Sequence, residues 1–356
     1  MIRALYAGGT LLCPGPVILA LGGMNGLFPG MTTGTTQNTG DGLAAVFAQG
    51  AELANLEMLQ YHPTTVAVTG KRLLISEAAR GEGGRLFIRR KGEKWYFMEE
   101  LYPELANLMP RDVISREMAR LSGDPACEGP FYLDLTGLPR ETWQKRLPDL
   151  REEIRQYLKL DPAREPVPVS PGIHFFMGGL WVDEAHRTSI PGLYAAGECA
   201  CQYHGANRLG GNSLLAALYG GLVAAGSAAC EPGGDAEPRP LPEEPEPRVS
   251  PAFARALGET LRAGLDILRD GAGLRAALDR LNGLGPQTEA ERARLDLGRA
   301  MLLSALARGE SRGAHTRTDF PARDDGRFRK TTVAALRGGE VKITFREIPE
   351  RRVTKP

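Results

Sequence analysis

The sequence has few cysteines, few histidines and no excess of either charge. It contains five cysteines and five histidines, and the cysteines form no CxxC pair. An odd count without such pairs argues against a disulfide framework and against a zinc site, and it favours a reducing compartment. Because 44 basic residues stand against 43 acidic ones, the charge balance does not indicate binding to nucleic acid or to an acidic membrane surface.

A secretory signal is not evident, and no stretch is expected to span a membrane. Residues 214–230 are apolar and uncharged, but their number is near the lower limit for crossing a bilayer. Three glycines also interrupt this stretch. We therefore predict a buried helix at this place. The protein is expected in the cytoplasm, or at the inner face of the membrane through partner subunits.

Two short apolar segments, residues 17–21 and 193–196, each run into glycine. This pattern is typical of strands in a buried parallel sheet. The two segments flank a region of different character, which predicts one sheet interrupted by an inserted domain. A loop rich in glycine and threonine follows the first strand and leads to a predicted helix over residues 43–56. Asp41, just before that helix, can cap it or accept a hydrogen bond from a ligand.

The region between the two strands and the C-terminal part have patterns of their own. In the insertion, short strands alternate with charged helices, which indicates an α+β fold; the strands are 73–75, 85–88 and 131–134, and the helices are 111–121 and 140–158. A linker rich in proline and glutamate follows. Beyond it, helical periodicity predicts a small antiparallel bundle of residues 252–269, 273–284 and 288–308. Residues 341–345 alternate as one strand.

Four of the five histidines lie in turns rich in glycine or proline, namely His62, His174, His204 and His315. Taken singly, each can be read as a turn residue whose hydrogen bonds are satisfied locally. Arg80, Arg111 and Arg208 occur in similar settings. Together the two groups predict an anion site, because guanidinium donors match the geometry of a carboxylate. The residues by themselves thus indicate an enzyme that binds a small acid.

Seven motifs extend this pattern along the chain in a fixed order, at residues 60–64, 76–84, 110–113, 174–179, 197–198, 204–214 and 310–321. In this order they resemble the successive motifs of the succinate dehydrogenase, fumarate reductase and L-aspartate oxidase flavoprotein family. The resemblance extends from about residue 15 to residue 330.

The resemblance implies an α/β FAD-binding domain, Rossmann-like and incomplete, with an inserted α+β capping domain and a C-terminal helical domain. The expected FAD-binding parts are residues 1–56 and 169–230, the capping domain is 57–168, the linker is 231–251, and the C-terminal domain with its tail is 252–356. It further implies FAD as cofactor and a small dicarboxylate as substrate. Fumarate and succinate would be interconverted by hydride transfer at the flavin N5.

The same resemblance implies a role for each matching residue. His62 and Ser76 would bind one carboxylate of the substrate, and His174 with Arg208 would bind the other. Holding both ends would orient the substrate for reaction.

Proton transfer would fall to three further residues. Arg111 would give or take the proton, and Glu77 with Arg80 would relay protons to it. A plainer reading makes Ser76 a helix cap and Glu77–Arg80 a surface pair.

Four positions match those that bind FAD in the family: Asp41, Glu198, Ser213 and Leu214. The helix that begins near Leu214 would direct its N-terminal N–H groups at the flavin and stabilise the reduced, anionic ring. Glu310, Arg312 and His315, in the last motif, are expected to be structural or to lie near the entrance of the site. No metal ligands are implied, and because no cysteine set for a cluster is present, an iron–sulfur centre would belong to a partner subunit.

Three features depart from the family pattern. Serine stands at position 76 where threonine is usual, and the stretch between Glu198 and His204 is one residue shorter. The sequence also has no GxGxxG turn to hold the FAD pyrophosphate. Three explanations are open: an internal start at Met1, a nucleotide-binding half supplied by another chain, or a loss of flavin binding. For the isolated chain we expect weak FAD affinity and poor solubility. L-aspartate oxidase is one alternative function, and a truncated, non-catalytic fragment or assembly subunit is another.

Overall fold

The structure is a computed structural model that describes residues 5–7, 10–12, 15–231 and 248–348. Its strands are β1 (Leu5–Ala7), β2 (Thr10–Leu12), β3 (Val17–Leu19), β4 (Leu53–Ala54), β5 (Leu59–Val68), β6 (Lys71–Leu74), β7 (Arg85–Arg90), β8 (Glu93–Trp95), β9 (Cys127–Asp134), β10 (Val167–Phe176), β11 (Gly179–Leu180), β12 (Leu193–Ala195), β13 (Leu268–Arg269), β14 (Thr316–Arg317), β15 (Lys330–Arg337) and β16 (Glu340–Glu347). Its α-helices are α1 (Asp41–Ala48), α2 (Ala78–Gly81), α3 (Phe97–Leu101), α4 (Arg111–Leu121), α5 (Arg140–Lys145), α6 (Pro148–Leu158), α7 (Asn212–Ala229), α8 (Pro251–Gly264), α9 (Gly271–Asn282), α10 (Glu289–Ala307) and α11 (Asp325–Phe328).

The chain divides into two compact units. The first unit comprises Met1–Leu27, Gln37–Leu59 and Phe175–Pro356, and the second comprises Phe28–Thr36 and Gln60–His174. Each unit is thus built from segments that are distant in the sequence.

In the first unit, β3 and β12 pair in parallel, with Val17 opposite Leu193 and Leu19 opposite Ala195. This confirms the prediction that strands from either side of the insertion share one sheet. Strand β12 is fully buried, but Ile18 in β3 is 39% exposed. Full burial was therefore the wrong prediction for β3. Both strands are edges of a two-stranded sheet, and an edge strand is shielded only where other elements pack on it, as α7 does on Tyr194 of β12.

Helix α7 follows β12 and packs on this pair with its small residues. Ala224 and Ala228 form a buried cluster with Tyr194 and Ala196. The large apolar residues point outward and are between 58% and 78% exposed: Leu214, Leu215, Leu218, Tyr219 and Leu222. The predicted buried helix is therefore wrong, because close packing selects the small side chains for the inner face. Within the described residues, α7 is the helix whose length and apolar composition would suffice to cross a membrane, and 17% of it is buried.

The remainder of the first unit combines a helical bundle with a second sheet. Strands β15 and β16 form an antiparallel hairpin, and β15 continues through β4 to β11. Helix α10 packs against α1, α8, α9 and this hairpin. The three predicted helices of the C-terminal domain are present, and side chains at their N-termini explain their starts: Ser250, Asp270 and Thr288 each accept a backbone N–H three residues on. The sheet partners of the predicted strand at 341–345 were not anticipated.

Three predicted helices have different limits in the structure. The helix expected over residues 252–269 ends at Gly264, and residues 268–269 form β13. The helix expected over residues 43–56 ends at Ala48, because Gly50 takes a left-handed conformation (φ 94°) and β4 begins three residues later. The helix expected over residues 140–158 is divided into α5 and α6 at Pro148, since a proline inside a helix removes a hydrogen bond and clashes with the preceding turn.

A buried ion network joins the C-terminal segments of the first unit to Glu57, a residue of the same unit. The side chain of Arg308 is 1% exposed and donates to Glu57 (2.7 Å), to Glu310 (2.9 Å) and to the carbonyl oxygen of Phe328 (2.8 Å). His315 is buried beside it and accepts from Arg269 at 2.9 Å. A buried charge is tolerated when it is paired and hydrogen-bonded in this way. These contacts match the structural role expected for Glu310 and His315.

The second unit is built on a six-stranded sheet with the order β6-β5-β10-β9-β7-β8. Its core is formed by apolar side chains of the sheet and of α3, α4, α5 and α6. In α4, Ile114 and Met118 lie four apart, so both face this core and are fully buried. Because these two side chains are buried, the rotation of α4 about its axis is fixed, and with it the position of its first residue, Arg111.

The exposure of α7 leads to a prediction about stability. Leu222 is 78% exposed and Leu302, in α10, is fully buried. We expect Leu222→Gln to change the free energy of unfolding by less than about 0.5 kcal/mol. The matched change Leu302→Gln should cost more than about 3 kcal/mol, because it removes apolar contacts and buries an amide. Urea unfolding followed by circular dichroism measures both. Equal destabilisation by the two variants would show that this face of α7 is covered in solution.

Candidate active site

The second unit brings five of the predicted residues together at the ends of its elements. His62 lies in β5 and His174 in β10, while Arg80 lies in α2 and Arg111 begins α4. Glu77, the residue immediately before α2, connects the two arginines. These residues come from segments up to 112 positions apart (62 to 174), and the sheet and its packed helices are what gather them.

Glu77 hydrogen-bonds a different arginine through each carboxylate oxygen. Its Oε1 accepts from Nη2 of Arg80 at 3.0 Å, and its Oε2 accepts from Nη2 of Arg111 at 2.7 Å and from Nε at 3.1 Å. The side chain of Arg80 is fully buried. The alternative of a surface pair is therefore wrong for Glu77 and Arg80. The three side chains instead form a continuous hydrogen-bonded chain, as the predicted relay requires.

The charge state of Glu77 follows from its two neighbours. Burial raises the pKa of the carboxyl group, but the hydrogen bonds and charges of Arg111 and Arg80 outweigh burial, so the pKa is lowered overall. Burial also lowers the pKa of Arg80, and Glu77 partly offsets that effect. An ionised carboxylate between two cations neutralises one of the two positive charges and keeps both guanidinium groups oriented.

His62 is fully buried and held in one neutral form. Its Nδ1 accepts the backbone N–H of Thr64 at 3.3 Å, which leaves the ring proton on Nε2. Burial lowers its pKa well below the ordinary value, and the charges of Arg111, His174 and Arg80 lower it further. Within the described part of the chain, Nε2 has no hydrogen-bond partner. His62 is thus a neutral donor available to an anion.

Ser76 and His174 complete the predicted residues of the second unit. The Oγ of Ser76 accepts the backbone N–H of Ala78 at 3.3 Å, but Glu77 occupies the N-cap position of α2 and no side chain caps this helix, so the helix-cap alternative for Ser76 is wrong. The hydroxyl hydrogen is still available for donation. The ring of His174 lies edge-on to that of His62, with 5.3 Å between ring centroids. Its Nδ1 is 2.8 Å from the Oγ1 of Thr33.

Sequence reasoning missed three residues that hold this cluster. Gln60 is fully buried, and its Oε1 accepts from Nη1 of Arg111 at 3.2 Å. The carbonyl oxygen of Asn107 accepts from Nη1 of Arg80 at 2.5 Å, and Thr33 contacts His174. Gln60 stands in the same motif as His62, which is a signal that could have indicated it. Thr33 and Asn107 carry no such signal, because only folding brings them close.

In the first unit, Arg208 and His204 both contact one aromatic ring. The guanidinium carbon of Arg208 is 4.5 Å from the ring centroid of Phe175, and the ring of His204 meets the same ring edge-on at 5.2 Å. Burial and the nearby charge of Arg208 lower the pKa of His204 to about 4. Arg208 is therefore the cation of this group and His204 is neutral. A cation over an aromatic face gains about 0.5–2 kcal/mol.

Three of the four predicted cofactor residues follow β12 in the first unit. Glu198 lies just after the strand, and its Oε1 accepts the backbone N–H of Phe176 at 3.0 Å. Burial raises the pKa of Glu198 to about 7, against the opposing effects of that N–H and of Arg208. A Cβ at Gly23 would lie 2.6 Å from the Glu198 carboxylate, so only glycine leaves the space found there.

Ser213 and Leu214 lie in the first turn of α7, which carries no side-chain cap. The residue before the helix is Gly211, in a left-handed conformation (φ 82°). The N–H groups of the first turn are thus not bonded by a capping side chain, and they form the positive end of an 18-residue helix. An uncapped helix N-terminus of this kind fits the anionic edge of a reduced flavin.

The carboxylate of Asp41 is hydrogen-bonded to side chains and does not cap a helix. It accepts from Arg294 through both oxygens, with 2.8 Å from Nη2 to Oδ2, and from the hydroxyl of Thr39 at 2.8 Å. Gly40, and not Asp41, occupies the N-cap position of α1, and no side chain caps this helix. The capping alternative for Asp41 is therefore wrong. Its carboxylate is paired, and it faces a groove between α1 and α10.

Two family models match this chain. The model described as FAD binding domain matches residues 14–214, and the model described as fumarate reductase flavoprotein C-term matches residues 288–356. Both matches define a flavoprotein. The chain belongs to the fumarate reductase/succinate dehydrogenase flavoprotein family, whose cofactor is FAD, and L-aspartate oxidases are among its relatives. This assignment also confirms the predicted fold class.

Individual relatives agree with this assignment. The chain is 36% identical to the succinate dehydrogenase flavoprotein subunit of Bacillus subtilis, over 89% of its own length and 61% of that protein. It is also 36% identical to L-aspartate oxidase of Streptomyces coelicolor, over 90% of its length and 60% of that enzyme. Among solved structures, a variant of quinol fumarate reductase FrdA of E. coli superposes with a TM-score of 0.79 at 27% identity, covering 95% of this chain and 66% of that one. The chain thus spans about three fifths of the length of the curated relatives it matches.

The raised pKa of Glu198 predicts a pH-dependent stability. The unfolded carboxyl titrates near 4.5 and the folded one near 7, so the folded protein binds more protons between these values. Its free energy of unfolding should fall as pH rises from about 4.5 to about 7 and then level off. Glu198→Gln removes this titration and keeps the oxygen that Phe176 contacts. Relative to wild type, it should gain about 2 kcal/mol between pH 5 and pH 7.5.

Urea unfolding at several pH values measures the difference. Glu184→Gln serves as the control, because Glu184 is an exposed glutamate of the same unit. The control should follow wild type at every pH. A constant difference between Glu198→Gln and wild type across this range would contradict the raised pKa.

Proposed function

We propose that this chain provides the substrate-binding and proton-transfer residues of a FAD-dependent oxidoreductase that interconverts fumarate and succinate. The observation that carries the proposal is the Glu77 carboxylate, which joins Arg80 and Arg111 in the unit that also holds His62 and His174. Arg111 alone would be enough to bind an anion. A protein that only bound an anion would not need a second, buried guanidinium, that of Arg80, connected to Arg111 through a carboxylate. A proton-transfer chain requires this connection.

Donors on the second unit suit one end of a dicarboxylate. The Nε2–H of His62 and the hydroxyl of Ser76 are proposed to bind one carboxylate, and His174 is proposed to bind the other. Neutral donors can bind an anion without a cost of ionisation, which matters for a side chain as buried as His62. Arg208, in the first unit, is proposed as a cationic donor to a substrate carboxylate.

Arg111 is proposed to exchange the proton with the substrate carbon. Its pairing with Glu77 and Gln60 occupies its Nε, Nη1 and Nη2 and so fixes the plane of the guanidinium. A guanidinium is a weak acid, so its contribution depends on orientation and on rapid reprotonation. Glu77 and Arg80 are proposed to supply that reprotonation through their hydrogen-bonded chain.

The first unit is proposed to hold the flavin. FAD, when bound, supplies the acceptor or donor of the hydride. Glu198, Ser213 and Leu214 are the proposed contacts, with the first turn of α7 facing the anionic edge of the ring, and Asp41 is proposed as a further FAD-binding residue. The described residues contain no GxGxxG turn for the pyrophosphate, so the proposed contacts cover only part of the cofactor.

The proposed setting is that of a peripheral subunit that exchanges electrons with an iron–sulfur subunit on the cytoplasmic side. The absence of a cysteine set for a cluster in this sequence supports such a partner. L-aspartate oxidase is a second candidate function, favoured by the relative from Streptomyces coelicolor at the same identity. The two functions differ in substrate but would use the same pair of carboxylate sites.

The test compares two reactions of the purified chain supplied with FAD. Fumarate reduction by a reduced viologen dye should exceed aspartate oxidation. Arg111→Met should lower kcat for fumarate reduction at least about 100-fold, because general acid catalysis contributes about that much or more. Arg120→Met is the matched control, since Arg120 lies on the same helix with 54% of its side chain exposed, and it should stay within about twofold of wild type.

Each other outcome assigns the chain differently. Faster aspartate oxidation would favour the L-aspartate oxidase function. Binding of succinate without turnover by the FAD-supplied chain would identify a non-catalytic subunit. Equal rates for wild type and Arg111→Met would contradict the role of Arg111 as proton donor.

A further inference from the structure

Thr33 contacts Nδ1 of His174 from a distant part of the chain. Its Oγ1 lies 2.8 Å from Nδ1 of His174, although 141 positions separate the two residues in the sequence. A hydroxyl can donate or accept, so this distance by itself is compatible with two tautomers of the imidazole. The surroundings of Thr33 and a comparison with His62 decide between them.

The backbone around Thr33 is hydrogen-bonded to β10, the strand that carries His174. The N–H of Thr33 donates to the carbonyl oxygen of Ile173 at 3.0 Å, and the N–H of Ile173 donates to Met31 at 2.7 Å. A third bond runs from the N–H of Arg72 to the carbonyl oxygen of Thr32 at 2.9 Å. Three backbone bonds at three successive residues hold this part of the loop, in which Thr32 pairs with Ile173 in an isolated parallel bridge. The position of the Thr33 backbone is therefore fixed, and its hydroxyl reaches His174 from there.

His62 provides a reference in which the direction of the bond is unambiguous. Its Nδ1 faces the backbone N–H of Thr64, which can only donate. The hydroxyl of Thr64 donates to the carbonyl oxygen of Ile75 at 2.8 Å and so does not compete for that role. His62 therefore keeps its proton on Nε2. The ring of His174 lies 5.3 Å from it, and both rings present their Nδ1 edge to a threonine.

We propose that Thr33 is a positioning residue that donates its hydroxyl hydrogen to Nδ1 of His174 and holds this imidazole in the Nε2–H tautomer. The inference rests on the proposed function, in which His174 binds a substrate carboxylate. In the opposite tautomer Nε2 would carry a lone pair, which repels a carboxylate. With Thr33 as donor, His174 and His62 are both Nε2–H donors, each selected by a hydrogen bond to the other nitrogen.

The direct test is the tautomer of His174 in the full chain, without substrate or FAD. Two-bond ¹H–¹⁵N spectra of ¹⁵N-histidine protein distinguish a protonated from an unprotonated ring nitrogen, and a His174→Gln variant identifies the resonances. In wild type we expect Nδ1 unprotonated and Nε2 protonated. Thr33→Val should shift the population toward the Nδ1–H form, Thr33→Ser should restore the wild-type spectrum, and Thr36→Val, at an exposed threonine of the same loop, should not change it.

Succinate binding gives a second, separate readout. Titration followed by NMR should show a roughly 5- to 10-fold weaker affinity for Thr33→Val, as loss of one hydrogen bond predicts, and less than twofold change for Thr33→Ser and Thr36→Val. A wild-type His174 with its proton on Nδ1, or an unchanged tautomer in a folded Thr33→Val, would overturn the proposal. The expected tautomers with no succinate binding to any form would leave the role of Thr33 standing and contradict the proposed function.

Discussion

The pairing of one carboxylate with two buried guanidinium groups is the constraint on which the candidate site depends. Without Glu77, Arg80 and Arg111 would be two cations close together at low dielectric, and each would be destabilised by burial. With Glu77 between them, both are oriented and one charge is neutralised. Burial, with a further contribution from the same cations, keeps His62 neutral by lowering its pKa. One ion triad therefore holds the proposed proton path and reinforces the neutral form of His62.

The scaffold serves this triad by joining distant segments at fixed positions. Strand β5 carries Gln60 and His62, α4 begins at Arg111 after Pro110, and the loop that contains Thr33 is bonded to β10 beside His174. Each of these groups makes its contacts from a backbone that is already hydrogen-bonded. Orientation is thus built into the folded state and does not have to be acquired when a substrate binds.

Helix α7 of the first unit follows a different principle, in which small residues face inward and large ones outward. Gly23 leaves space for Glu198, and Ala224 and Ala228 bring α7 close to β12. This close approach places the open first turn of α7 at the end of the strand. It also leaves Leu218 and Leu222 on the surface, although the uncharged sequence of this helix favours burial.

The sequence by itself determined the family, the fold class, the parallel pairing of β3 with β12, the start of α4 at Arg111 and the identity of the charged residues. These depend on local pattern or on ordered motifs, and both can be read along the chain. Only the tertiary structure decided that Arg80 is buried, that Asp41 pairs with Arg294, that α7 is exposed, and that Gln60, Asn107 and Thr33 support the site. The reason is that burial and pairing depend on which distant segments meet, and that information is not contained in the spacing of residues within one segment.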